Sequence, residues 1–388
     1  MTSSGPRPPL TVGISSNVID QEITGGGIDG IGVYTATLER GLQSAGISTV
    51  RVGAPIFRGM HLVAPSDADV IFALPLVASI GWSAITHAKV PIESKVERKI
   101  DVYHATDYRV PRFRQTPVVA SIYDAIPLRN PEWASPSLRS LKNWLLRRSV
   151  SFADLVISIS HAAVAEIEEH YRVPRERIRV APPGVSDEWF TSEPPTEFER
   201  AAARWGLKPG YFLFVGTLQP RKNITALLDA YERLPAHVRS ERQLLIVGKY
   251  GWAMESLRQR LKALAPHGRI LWVDRIKLTT LRALYQNAGA FVFPSLAEGF
   301  GLPLVEALAS GVTVAASNLP VLREVGGTLV SYFDPSDIDA IAHAMENAAA
   351  ESIGDDARHA RRQWARQYSV DTCAKATIAV YDELVSTR

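Results

Sequence analysis

Along this chain, short unbroken apolar runs alternate with stretches in which apolar positions recur every three or four residues. In the first half the runs are LTVGISS (10–16), STVRVG (48–53), DVYHAT (101–106), PVVASIYD (117–124), DLVISIS (154–160) and IRVAPPG (178–184). Their length and their Val and Ile content read as β-strands. Between them, GVYTATLERGLQSAG and PSLRSLKNWLLRRSV read as helices, and in the latter Leu138, Leu141, Leu145 and Val150 fall near one face. A stretch rich in prolines and acids, DEWFTSEPPTEFERAAARWGLKPG (187–210), breaks this rhythm, so residues 191–209 read as a linker. A second series then follows: YFLFVG (211–216), QLLIVG (243–248), RILWVD (269–274), AFVFPS (290–295), VTVAAS (312–317) and LVSYFD (329–334), with helices such as NITALLDAYERL and TTLRALYQNAG between them. Strand–helix–strand repetition with near-continuous apolar strands predicts parallel sheets covered on both faces. The expected fold is therefore α/β, with two doubly wound domains at 1–190 and 210–365 and a closing segment at 366–388. Ligands of such sheets bind beyond the carboxyl ends of the strands, and with two domains the cleft between them is the expected site.

Composition narrows the class. A length of 388 residues exceeds one ordinary hydrophobic core, in keeping with two domains. The 46% hydrophobic and 21% charged residues are those of a globular protein, and a net charge of +3 gives no case for a nucleic-acid partner. Cys373 stands alone, which excludes a disulfide framework or a cysteine–zinc cluster and fits a cytoplasmic location. MTSSGPRPP has no apolar core of a secretory leader. Residues 70–87, VIFALPLVASIGWSAITH, hold no acid, lysine or arginine and are long enough to span a bilayer. Pro75, Ser79, Gly81, Ser83 and Thr86 interrupt them, so the segment reads as core or interfacial helix. Lys89, Lys95, Arg98, Lys99, Arg109, Arg112 and Arg114 follow it, a pairing that fits peripheral contact with an anionic membrane.

The candidate chemistry gathers at strand ends. In AFVFPSLAEGFGLPLVEALASG, Glu298 lies in the loop after the strand, Pro303 suits a first helical turn, Glu306 lies about one turn in, and Gly311 ends the helix. Gly299 and Gly301 let the backbone approach a ligand closely, the helix N-terminus favours an anion, and carboxylates accept hydrogen bonds from sugar hydroxyls. In VGTLQPRKNITALL, Arg221 and Lys222 follow the strand that ends at Gly216, just before a helix expected to be capped by Asn223. Two cations there suit a diphosphate. Gly25, Gly27 and Gly30 match dinucleotide-fingerprint spacing, but an eight-residue loop separates them from their strand and STVRVG carries no acid for a ribose. A mobile glycine loop over a ligand is the expectation there. Asp67 to Asp69 read as a surface turn rather than a metal–diphosphate motif. His104, Tyr123, Asp124, Ser160 and His161 end strands of the first sheet and are candidates to face the cleft, the histidine more often structural.

At these motifs the chain resembles glycosyltransferase family 4, the retaining GT-B enzymes, and within it the bacterial polysaccharide and O-antigen mannosyltransferase-like group. GTLQPRKN, LLIVGKYGW, LYQNAGAFVFPSLAEGFGLPLVEALASG and SNLPVLREVGG carry the resemblance. It implies that Glu298 faces the donor sugar, that Glu306 holds the nucleotide ribose and that Lys222 meets the diphosphate. Gly30, Gly216, Gly299, Phe300, Gly301 and Leu302 would complete the donor site, and the C-terminal helices would cross back onto the first domain. Two departures stand out: Thr217 replaces a frequent arginine, leaving Arg221 as the second cation, and Tyr123-Asp124 stands where relatives usually carry His-Asp near the sugar's 6-position. The resemblance implies transfer of a hexose with retention, first of all mannose from GDP-mannose, to a glycan or lipid-linked hydroxyl, with neither cofactor nor metal. The alternatives are a 6-deoxy donor such as a rhamnose or fucose nucleotide, a nicotinamide-dependent oxidoreductase built on the glycine run, and a non-catalytic sugar-nucleotide-binding subunit.

Overall fold

The computed structural model of the chain describes residues 10–25, 29–58, 60–86, 94–130, 139–251, 255–264, 267–351 and 354–386. They divide into two units: Met1–Gly184 together with Ser369–Arg388, and Val185–Tyr368.

The first unit is built on a parallel sheet of β1 (Thr11–Ser15), β2 (Ser48–Gly53), β5 (Val70–Ile71), β6 (Val102–Ala105), β7 (Val118–Ile122), β8 (Leu155–Ser158) and β9 (Ile178–Val180). Their order is β5-β2-β1-β6-β7-β8-β9, and an antiparallel hairpin, β3 (Ile56–Arg58) and β4 (His61–Val63), lies apart from it. Every residue of β6, β7 and β8 is buried, as apolar runs without alternation require when helices cover both faces.

The second unit repeats the plan with β10 (Phe212–Val215), β11 (Leu244–Val247), β12 (Ile270–Val273), β13 (Ala290–Phe293), β14 (Thr313–Ser317) and β15 (Ser331–Phe333), in the parallel order β12-β11-β10-β13-β14-β15. Each sheet reverses its strand order once, between β1 and β6 in the first and between β10 and β13 in the second. Crevices for ligands open at such switch points, outside the carboxyl ends of the strands.

All twelve runs read as strands are strands of these two sheets. Three expectations change. The segment 191–209 is not a linker: it holds the helix Pro195–Trp205, which packs on the helix Leu278–Asn287 inside the second unit. The prolines taken as breakers stand at the N-cap and first turn, where a missing N–H costs nothing. The buried Arg282–Glu193 pair at 2.5 Å ties the approach to this helix onto the same unit. Secondly, residues 70–87 begin with the edge strand β5 before the helix Leu76–Thr86. Thirdly, on the helix Arg139–Val150, Leu141 faces solvent while Val150 is buried, and Leu138 lies outside the described residues. Lys89 and Gly27 also lie outside them. The closing helix Val370–Ser386 belongs to the first unit and packs on the helix Gly30–Ser44. Among the described residues no helix is long and apolar enough to cross a membrane.

Candidate active site

The loops that leave β10 and β13 flank the second sheet's switch point and carry the two charged motifs. A Cβ on Gly248, at the end of β11, would stand 1.9 Å from the Gly216 carbonyl oxygen, so the strand ends approach closely only through glycine. Beyond Gly216 a short 3-10 turn, Pro220–Lys222, leads into the helix Ile224–Arg233. Asn223 occupies the N-cap position at φ 56° but makes no side-chain cap; its amide nitrogen donates to the Pro335 carbonyl at 2.8 Å. The expected cap is thus a bridge towards the end of β15.

This turn delivers both cations to Glu298. Lys222 Nζ lies 2.5 Å from Glu298 Oε1, and Arg221 Nη1 lies 2.9 Å from Oε2 and 3.0 Å from the Ala297 carbonyl. Leu296 N–H donates to the Arg221 carbonyl at 2.8 Å, locking one loop to the other. The side chains of Lys222 and Glu298 are each only 7% exposed, and the ammonium rests 4.8 Å from the centre of the Phe293 ring. Burial alone would raise the Glu298 carboxyl. The Lys222 and Arg221 charges outweigh it and hold the group at about 2. Two cations, Lys222 buried and Arg221 partly exposed, against one carboxylate leave an excess of positive charge at the strand ends.

The helix Leu302–Ser310 starts directly after this loop. Gly301 precedes it at φ 102°, where a Cβ would also meet Leu322 Cδ2 at 2.8 Å. Both the backbone conformation and the space therefore require glycine. Phe300 is buried edge-on against Tyr368, with ring centres 5.4 Å apart, and anchors the Gly299–Leu302 turn. The positive end of the helix dipole faces the same loop as Arg221 and Lys222. Glu306 lies one turn in, its Oε2 3.2 Å from the Tyr285 hydroxyl, which donates to it. Burial pushes its carboxyl up to about 7, only partly offset by that bond. Tyr285 was not singled out in the sequence. Its signal was present nonetheless, since a tyrosine on the apolar face of a helix buries a hydroxyl that must find a partner.

The first-unit candidates do not assemble into a second reactive cluster. Gly30 opens the helix Gly30–Ser44, and Asp29 Oδ1 accepts the Ile31 and Gly32 N–H groups at 3.1 Å each. Those are the donors a pyrophosphate would need in a dinucleotide fingerprint, and a carboxylate already holds them. Tyr123 was expected to read a sugar. Instead it is 8% exposed, packs edge-on against Tyr34 and Tyr108, and donates its hydroxyl to the Thr106 carbonyl at 2.5 Å. It braces the switch point between β1 and β6, and its hydroxyl proton is committed to the main chain. Asp124 Oδ1 accepts the Ile126 N–H at 3.0 Å and shapes the turn after β7. His104 is fully buried, with Nδ1 2.7 Å from the Tyr381 hydroxyl and Nε2 2.9 Å from Ser121 Oγ. Ser160 Oγ accepts the Ala163 N–H, whereas His161 is exposed. Asp69 Oδ2 accepts the Arg51 N–H at 2.8 Å, which makes the Asp67–Asp69 run a structural turn.

Relatives share this plan. The model for Glycosyl transferases group 1 matches residues 195–368, and that for Glycosyltransferase Family 4 matches residues 28–189. The chain is 31% identical over 284 residues to O-antigen chain mannosyltransferase B of Escherichia coli, covering 72% of this chain and 74% of that one. It is 30% identical over 242 residues to the serotype-specific mannosyltransferase WbdA of Escherichia coli, covering 60% of this chain but only 29% of that longer one. The solved sucrose-phosphate synthase of Thermosynechococcus elongatus superposes with a TM-score of 0.71 at 19% identity, covering 98% of this chain and 100% of that one. The lipopolysaccharide glycosyltransferase WaaG does so with a TM-score of 0.63 at 14% identity, covering 95% and 98%. With a Rossmann-like parallel sheet in each of two units, as in the GT-B fold, and the matches to both family models and to a mannosyltransferase over most of its length, the chain belongs to glycosyltransferase family 4, in the group of bacterial O-antigen mannosyltransferase-like enzymes.

Proposed function

We propose that this glycosyltransferase moves mannose from GDP-mannose, with retention and without a divalent metal, to a hydroxyl of a glycan or lipid-linked oligosaccharide in bacterial polysaccharide synthesis. The mannosyltransferase names of its relatives support the sugar. The clamp of Lys222 and Arg221 on Glu298, beside a helix N-terminus, is the observation that carries the chemistry. When a nucleotide sugar binds, its diphosphate meets the two cations, and Glu298 turns from their counter-ion into an acceptor for a sugar hydroxyl. The bond between the sugar C1 and the β-phosphate oxygen breaks, with its electron pair leaving on that oxygen. Arg221, Lys222 and the helix dipole stabilise the charge that grows there. The acceptor oxygen bonds to C1, and its proton passes to the departing phosphate oxygen, so no separate base is required. Glu306 accepts the ribose hydroxyls.

The other readings have less support. The 6-deoxy reading has the Tyr123 ring, not its hydroxyl, meeting the sugar's 6-carbon; the hydroxyl bound to Thr106 is compatible with that, and the mannosyltransferase names of the relatives are what favour mannose. The nicotinamide reading needed the N–H groups that Asp29 holds. A lipid-linked acceptor puts the reaction at the inner face of the plasma membrane. The outward face of the helix Leu76–Thr86, where Val77, Trp82 and Ile85 are exposed, supports peripheral contact there.

The test is transfer from a panel of nucleotide sugars, with and without EDTA, by the wild type and Lys222→Ala. GDP-mannose should be the donor, EDTA should have no effect, and Lys222→Ala should lower turnover by about 100-fold or more, the scale of losing a charge partner in the transition state. Activity that EDTA abolishes and manganese restores would refute the metal-free mechanism.

A further inference from the structure

At the amino-terminal ends of β7, β8 and β9 lies a concavity of about 440 Å³. Its wall comes from the segments just before each strand: residues 112–118 before β7, 148–154 before β8, and Arg177 before β9. The strands are parallel, so this edge is the opposite one from the carboxyl ends where Thr106 and Tyr123 gather. Four arginines, Arg112, Arg114, Arg148 and Arg177, line it against the single acid Asp154.

The arginines are held in place by the fold. Arg112 and Arg148 both stack on Phe152, with guanidinium carbons 5.6 and 5.8 Å from the ring centre. The Arg114 N–H donates to Glu97 Oε1 at 2.7 Å, which fixes the backbone of that segment. Arg177 donates to the main-chain carbonyls of Ser151, Ala153 and Asp154, neutral partners that orient its guanidinium without cancelling its charge. Asp154 Oδ2 accepts the Val118 N–H at 2.8 Å. Four arginines against one carboxylate give the wall of this hollow a majority of positive groups, which an anion with several oxygens complements. Arginine forks match phosphate oxygens in pairs.

We propose that this pocket is a second anion site, distinct from the Lys222–Glu298 clamp, and that it takes a phosphate mono- or diester group. Two sources share that chemistry: a soluble phosphate compound, and the headgroup of an anionic phospholipid.

Two measurements on the full chain separate them. The first is calorimetric titration with inorganic pyrophosphate. The second is sedimentation with phosphatidylglycerol vesicles, against phosphatidylcholine as the neutral control. Each compares the wild type, Arg112→Gln/Arg148→Gln, and the exposed-lysine control Lys99→Gln/Lys142→Gln, which removes the same charge outside the pocket. Removing two of four arginines should weaken the binding at least about tenfold, while the lysine control stays near wild type. An arginine effect in the first measurement assigns a soluble ligand, and one confined to the vesicles assigns a headgroup. An unchanged first-unit transition in a calorimetric scan, the one that nucleoside diphosphate does not shift, shows that the variant is folded. Arginine and lysine variants that behave alike in both measurements would overturn the proposal, whatever the second unit binds.

Discussion

Glu298 and Glu306 stand eight positions apart in the chain, yet their environments push them in opposite directions, to about 2 and about 7. Environments that separate two carboxyls this far divide their work. Glu298 is an anion at every physiological pH, and its partners were legible in the sequence as charged residues ending neighbouring strands. Glu306 was legible as an acid one turn into a helix. Its shift was not, because the burial that causes it and the Tyr285 bond that partly offsets it come from tertiary packing. The Tyr123 bond was hidden for the same reason: its hydroxyl goes to a main-chain carbonyl seventeen residues away, which no motif records. The raised Glu306 carboxyl makes a prediction. A ribose diol donates two hydrogen bonds and so favours the ionised form, which lowers the carboxyl's pKa in the complex. Binding then releases a proton below about pH 7, and affinity falls as pH drops, by at most about tenfold per unit. Titrating the chain with GDP-mannose at pH 8 and pH 6 should show affinity about tenfold weaker at pH 6, and Glu306→Gln should flatten the difference. The nucleotide sugar is the right probe because its esterified diphosphate does not titrate in that range. A wild-type affinity equal at both pH values would refute the assignment of Glu306 to the ribose.

At the scale of elements, strands were easier to read than helices. Parallel strands buried on both faces leave continuous apolar runs, and their alternation with helical stretches gave the parallel, doubly wound class, though not the strand order. The helix Leu76–Thr86 shows the opposite case. Its buried positions are Leu76, Ser79, Ile80, Ser83 and Ala84, at helical spacing, but they are partly small and polar. Its outer face carries Val77, Trp82 and Ile85, exposed at 58%, 59% and 73%. With apolar residues on both sides no periodicity stands out, so composition alone could not separate a core helix from an interfacial one. The neighbouring helix Arg139–Val150 adds exposed Leu141 and Trp144 and no acid. If this face meets lipid, the chain should float with anionic vesicles, and Trp82→Ser/Ile85→Ser should lower the partition coefficient at least about tenfold, since burying such side chains is worth roughly 1.5–3 kcal/mol each at most. Both side chains point outward, so the melting temperature should hardly change. An unchanged partition coefficient would remove this face from the membrane reading.

For the whole molecule, the feature least visible in the sequence is that the first unit is discontinuous: residues 369–388 complete a fold begun by residues 1–184. Only resemblance pointed to it, because the helix Val370–Ser386 has the same amphipathic pattern whichever sheet it covers. Its place shows in its partners. It buries Cys373, Ala374, Thr377, Val380, Tyr381 and Leu384. Glu383 pairs with Arg179, and Tyr381 supplies the bond to His104 Nδ1 at 2.7 Å. Burial holds the His104 imidazole at about 3, against about 6.5 when unfolded. The folded chain therefore binds fewer protons than the unfolded one between those values, and this residue's contribution to stability is lost as pH falls through that window. Ending the chain at Tyr368 should strip the first unit of apolar burial comparable to the roughly 5–15 kcal/mol net stability of a domain. In a calorimetric scan the first unit's transition should disappear. The second unit's transition, identified by its upward shift with nucleoside diphosphate, should remain, because Val185–Tyr368 keeps its own sheet and core. Tyr381→Phe is the gentler form of the same test. It leaves a buried imidazole nitrogen without its partner and should cost about 1–3 kcal/mol in the first transition alone. A truncated chain whose two transitions match those of the full chain would show that the closing helix is an appendage rather than part of the first unit.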